Sequence, residues 1–173
     1  MTKVIDVPYN QELRDRIWPA FKVDIEDKHG QSGTEGARGE ANALKLLIEN
    51  FNYGTIINHS KDVWAQLFGI DFTCFNSRKD HITVDAKSGR SSLYWDRENK
   101  YWYITIRPEF FNGEKTNTHI MHVGPKGDLF VIYEKEKMEE FMLNSKRLIQ
   151  DKYGKRLRLQ DFPDFVQHNI SGW

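Results

Sequence analysis

The sequence predicts an α/β or α+β domain, a mixed central β-sheet flanked by helices. Three features carry that expectation: an amphipathic helical stretch, then two groups of short strand-like segments, then a second amphipathic stretch. The expected order is helix, three strands, a linker, three more strands and a helix.

The first helix is "GARGEANALKLLIENFNYG", beginning near Gly36. At about 100° per residue, Ala37, Leu44, Leu47, Ile48 and Phe51 share one face and Arg38, Asn42, Lys45 and Glu49 the other. Gly54 follows where a helix stop is expected. "TIINHS" reads as a strand, and "GIDFTCFNSRKDHITVDAKSG" as two more around a polar turn. "KYWYITIRP" alternates until Pro108, and "NTHIMHVGPKGDLFVIYE" reads as a hairpin turning at "GPKGD". "KEKMEEFMLNSKRLIQDKYG" predicts the second helix, with Met138, Phe141, Met142, Ser145, Leu148 and Ile149 as its stripe.

These signals divide the chain into an N-terminal extension or arm (1–35), a core (36–154) and a C-terminal tail (155–173). In the arm, "NQELRDRIWPAF" suggests a short helix ended by Pro19, and "DIEDKHGQSGTEG" a charged linker. In the tail, "KRLR" (Lys155 to Arg158) reads as a solvated helix end.

With 173 residues the chain suits one domain. Its formal net charge is zero, which argues against holding nucleic acid by charge alone. Cys74 is the only cysteine, so neither an intrachain disulfide nor a cysteine-based zinc site is expected. No apolar run approaches the roughly 20 residues of a membrane span. "MTKVIDVPYNQ" lacks the apolar block of a secretory signal, and a cytoplasmic setting is expected.

The hairpin at residues 69–89 carries the chemistry. A five-residue loop, Asn76 to Asp80, sets Cys74 opposite Ile82, Phe72 opposite Val84 and Ile70 opposite Ala86, an entirely apolar face. The other face then pairs Thr73 with Thr83 and Asp71 with Asp85, with Lys87 on the same side. Like charges directly opposite are destabilising, and one lysine bridges two carboxylates poorly. A hard divalent ion, Mg²⁺ or Mn²⁺, suits them better. Glu40 interrupts the apolar stripe of the first helix. Near a helix N-terminus it gains from the dipole and can reach solvent; beside this hairpin it also suits a third acidic ligand, or a group orienting metal-bound water.

Glu40 in "GARGEANALKLL", Asp71 in "GIDF", and Asp85 with Lys87 in "VDAKSG" together resemble the PD-(D/E)xK nuclease superfamily. That is the fold of many restriction endonucleases, Holliday-junction resolvases and RecB-type exonucleases. The proline of the family name is Ile70 here. The resemblance implies a restriction-endonuclease-like core (αβββ…β) and metal-dependent hydrolysis of DNA phosphodiester bonds. An endonuclease is expected first, with an exonuclease, a resolvase or a non-catalytic binding module on the same fold as alternatives. It implies catalytic roles for Glu40, Asp71, Asp85 and Lys87. It further implies a Mg²⁺ site (Mn²⁺ substituting) from Asp71, Asp85, Glu40 and the carbonyl of Ala86. DNA, double-stranded or branched, is the implied partner, with a homodimer for two-strand cutting.

Ser88, Arg90 and Ser91 suit contact with phosphate. The aromatics of "YWDRENKYWY" suit packing of a sheet face ahead of stacking on bases. His119 and His122, three apart on a strand, face opposite sides and read as structural.

Overall fold

A computed structural model describes residues 3–6, 35–89, 92–146 and 148–171. The short helix and linker expected within residues 10–36 fall almost wholly outside the described residues, as do Arg90 and Ser91. The fold is α+β with a large mixed sheet.

Strand β1 (Lys3–Asp6) is followed by helix α1 (Glu35–Asn50), β2 (Thr55–Asn58) and a short helix α2 (Val63–Leu67). Next come β3 (Phe72–Phe75), β4 (His81–Lys87), β5 (Leu93–Asp96), β6 (Tyr101–Ile106), β7 (His119–Val123) and β8 (Phe130–Glu134). Helix α3 (Lys135–Asn144), β9 (Ile149–Asp151), β10 (Gly154–Arg158) and β11 (Gln167–His168) complete the order. Seven strands form one sheet in the order β1-β2-β3-β4-β7-β8-β11, and four form a second, β5-β6-β10-β9. Among the described residues all pairings are antiparallel except β4 with β7.

Alternation along the strands sorts the two cores. Val84 of β4, Met121 and Val123 of β7, and Phe130 and Ile132 of β8 pack against Ala41, Leu44, Leu47 and Ile48 of α1. On the opposite face Ile120, Val131 and Tyr133 meet Leu93, Ile104 and Leu157 of the second sheet and Met138 of α3. The expected α1 faces hold: Ala37, Leu44, Leu47 and Ile48 are buried, while Arg38 and Glu49 are exposed.

Three elements depart from expectation. The second helix stops at Asn144, and the rest of its stripe becomes the β9–β10 hairpin. There Asp151 Oδ1 accepts the N–H groups of Tyr153 and Gly154. Gly154 has φ +151°, and a Cβ on it would collide with the Ile106 carbonyl. The "KRLR" segment is therefore strand β10, with Arg156 bound to Asp151 and Asp96 rather than ending a helix. The expected linker holds β5, which pairs Trp95 with Trp102 across a turn capped by Asp96. Residues 155–171 contribute β10 to the middle of the second sheet, and Leu159, Val166 and Ile170 to its core.

Gly39 sets the depth at which α1 sits. A methyl group there would overlap the Ser88 side chain just beyond β4. Gly39→Ala is expected to lower stability by about 1–2 kcal/mol, because overpacking outweighs a helix-propensity gain of about 1 kcal/mol. Adding Ser88→Gly should remove the penalty, and urea midpoints of both single variants and the double variant measure that coupling. Among the described residues no helix is long and apolar enough to cross a membrane.

Candidate functional site

Strand β4 lies inside the first sheet, antiparallel to β3 and parallel to β7. Its register with β3 is the expected one, Phe72 with Val84, Thr73 with Thr83 and Cys74 with Ile82. The loop is also as expected. Asn76 Oδ1 accepts the N–H groups of Arg78 and Asp80, and Lys79 adopts φ 62°.

The ladder ends at Phe72, so Asp71 does not face Asp85 as a ladder partner. Its N–H donates to the Val84 carbonyl at 2.9 Å. Its carboxylate Oδ2 accepts the Ala86 N–H at 2.8 Å. The side chain thus takes the β4 amide that continued pairing would have offered to backbone, and it lies along the β4 main chain. Asp71 is buried and near enough to Asp85 to disfavour its ionisation.

Asp85 and Lys87 alternate with Val84 and Ala86 and so face the second sheet. Lys87 Nζ is 2.8 Å from Asp85 Oδ2 and 4.9 Å from the centre of the Phe110 ring. Burial is the largest influence on Asp85 and pushes its carboxyl up to about 6. Lys87 and Lys115 pull it down, and Asp71 adds to the rise.

Two further lysines border the acidic pair. Lys135, at the start of α3, is buried and donates to the Lys115 carbonyl at 2.7 Å and to Asn117 Oδ1 at 3.2 Å. Burial lowers its pKa and the charge of Asp85 opposes that. The Lys115 segment is anchored where Thr116 N–H donates to the Phe68 carbonyl at 2.9 Å, just before the turn into Asp71. Neither lysine carries a local sequence signal: only the parallel β4–β7 pairing and the β7–β8 hairpin bring them to Asp85.

Glu40 is half-buried on α1, one residue from the contact with Ser88. Helix α1 covers the sheet face opposite to Asp85 and Lys87. Among the described residues no three His, Cys, Asp or Glu side chains group closely enough to hold a metal ion. Ser88 follows β4 directly and is partly buried.

His122 lies beside Lys87 in the β4–β7 register and is fully buried. Its Nδ1 is 3.0 Å from the Ser92 carbonyl and 3.1 Å from Ser92 Oγ, and its Nε2 is 2.7 Å from the Tyr133 hydroxyl. Burial pushes its pKa down to about 3, with Lys87 adding to the fall. The neutral ring satisfies this set with Nδ1–H donating to the Ser92 carbonyl and Nε2 accepting from Tyr133. It is a structural link between both sheets. His119 is half-buried, with Nδ1 2.8 Å from the Thr118 hydroxyl.

The arrangement is a buried carboxylate pair clamped to the β4 backbone, with a lysine in contact and two more around it. Comparison with protein-family models, curated proteins and solved structures gives no match to this chain.

Proposed function

We propose that the chain is a metal-dependent nuclease of the PD-(D/E)xK type that hydrolyses phosphodiester bonds in DNA, acting as an endonuclease. The observation that carries this reading is the closure of Asp71, Ala86, Asp85 and Lys87 onto one another. The chain order supports it: α1, the β2–β3–β4 meander, then β7 parallel to β4, follows the αβββ…β pattern of a restriction-endonuclease-like core.

The donors suit one hard cation. Asp71 and Asp85 offer only oxygen, and Asp85 uses Oδ2 alone for its ion pair. Mg²⁺ characteristically takes one or two carboxylates and keeps several waters, which matches a pair better than a cage. Asp71, Asp85 and the Ala86 carbonyl would hold Mg²⁺ or Mn²⁺, which when bound acidifies a water and takes up charge on the scissile phosphate.

The remaining steps belong to the chain itself. Asp71 fixes the Ala86 peptide through its N–H and so holds the backbone between Asp85 and Lys87. Lys87, 2.8 Å from Asp85, would offer its ammonium group to the phosphate as negative charge grows there. The Phe110 ring covers one side of Nζ and limits its hydration. Glu40, next to the Gly39 contact with Ser88 on α1, would orient water or the strand at the end of β4. Cutting both strands of a duplex would call for two copies of the chain.

A second reading has its own observation. Lys87, Lys115 and Lys135 together already offset two carboxylates, so the cluster suits a metal-free binding module equally well on charge alone. Cleavage of linear, nicked, single-stranded and four-way-junction DNA, with Mg²⁺, Mn²⁺ or EDTA, separates the readings. Metal-dependent products support the nuclease, and the preferred substrate distinguishes endonuclease, exonuclease and resolvase. Intact DNA in every lane overturns the proposal in favour of the binding module.

A further inference from the structure

Beside Lys87 lies a cavity of about 230 Å³ between the end of β4, the start of β5 and the end of β6. Lys87, Ser88, Ser92, Thr105, Arg107 and Glu109 line it, with Phe110 as its apolar wall. Its volume equals the liquid share of about eight waters at about 30 Å³ each. Thr105 is only 2 % exposed, and its hydroxyl has no hydrogen-bond partner. An orphaned buried hydroxyl beside a polar cavity is a donor awaiting an acceptor. Arg107 meets Glu109 only loosely, at 3.9 Å, and that carboxylate is mostly exposed.

We propose that this cavity binds a phosphate monoester, with Arg107 and Lys87 supplying charge and the Thr105, Ser92 and Ser88 hydroxyls donating to its oxygens. Two cations rule against a metal, and a mostly polar lining against a lipid or drug-like apolar group. Arg107 presents a planar fork of donors that matches phosphate bidentately. Glu109 has to swing away, which its exposure and loose pairing allow. The volume exceeds one phosphate and leaves room for the first atoms of the sugar esterified to it.

A phosphate monoester has two sources, free inorganic phosphate or the phosphorylated end of a nucleic-acid strand. The second deepens the proposed function and rests on it: the strand would be held by its terminal phosphate beside Lys87. Binding itself requires no cleavage, so the two proposals fail separately.

The test is titration calorimetry of the whole chain with inorganic phosphate and with a short oligonucleotide bearing either a 5′-phosphate or a 5′-hydroxyl. Wild type, Thr105→Val and Arg107→Gln are compared. Thr105→Val keeps shape and removes the orphaned hydroxyl, so it should melt no lower than wild type. Its phosphate affinity should nevertheless fall about tenfold, as for a lost hydrogen bond to a charged group. Arg107→Gln should lose at least as much. Tighter binding of the 5′-phosphate oligonucleotide than of the 5′-hydroxyl form assigns the strand end, and binding of inorganic phosphate alone assigns the free ion. No binding of either phosphate, or unchanged affinity in both variants, overturns the site whether or not DNA is cut. Cleavage indifferent to the 5′-phosphate overturns only the link to the strand end.

Discussion

Lys87→Ala is expected to slow Mg²⁺-dependent DNA cleavage by about 10²- to 10⁴-fold, the range for removing one charge-stabilising or proton-transferring group. Asp85→Asn should be as damaging, because it removes one of the two carboxylates available to the cation. Both side chains project from one strand, on the sheet face opposite to α1, so the backbone should tolerate either change. Circular dichroism and a urea midpoint check that each variant is folded. Time-resolved cleavage of the best substrate then reads the rate. Unchanged rates in both variants would remove Asp85 and Lys87 from the reaction.

Asp85→Asn is also expected to stabilise the metal-free protein. The carboxyl of Asp85 titrates at about 6 in the folded chain against an ordinary 3.8. Between those values the folded state binds more protons than the unfolded one, so this group's contribution to stability falls as pH rises through that window. At about 1.36 kcal/mol per pH unit the loss approaches 3 kcal/mol, complete above about pH 6. Asparagine imitates the protonated acid. In EDTA the variant should therefore exceed wild type by up to about 3 kcal/mol at pH 8 and match it near pH 4. Lys87 tolerates losing its partner because its side chain is 23 % exposed and keeps contact with water. Saturating Mg²⁺ should close the gap, since an ion at one hundred times its Kd adds about 2.7 kcal/mol to wild type. Thermal melts across that pH range, with and without Mg²⁺, measure both effects. A gap that ignores Mg²⁺ would favour the metal-free binding module.

The part of the site most legible in the sequence is the β3–β4 hairpin. Phe72, Cys74, Ile82 and Val84 admit only one register that buries them together, and a one-residue slip of either strand would turn its pair to the opposite face. That register places Asp85 and Lys87 correctly. It fails one residue further, at Asp71, because an aspartate at a strand end can hydrogen-bond backbone itself, and here it takes the Ala86 N–H. The overlong second helix has a different cause. Leu148 and Ile149 prolong the helical spacing of Met138, Phe141 and Met142, and spacing alone cannot register that Asp151 and Gly154 build a turn. In the missed β5, the Asp96 cap and the paired tryptophans are hairpin signals that a composition-based reading as a linker passes over. Lys115 and Lys135 were not legible at all. Their proximity to Asp85 depends on strands paired far apart in sequence, and nothing local marks either residue.

The edges of the two sheets bear on how two copies of this chain could meet. Among the described residues the edge strands are β1 and β5 with four residues each, β9 with three and β11 with two. So few unpaired backbone groups make poor templates for strand addition, which guards against edge-to-edge aggregation. The same shortness leaves little for a dimer to build on at those edges. An assembly with two cutting centres would instead have to join through side chains. Helix α2 and the residue after it leave Val63, Trp64, Leu67 and Phe68 uncovered, a few residues ahead of Asp71.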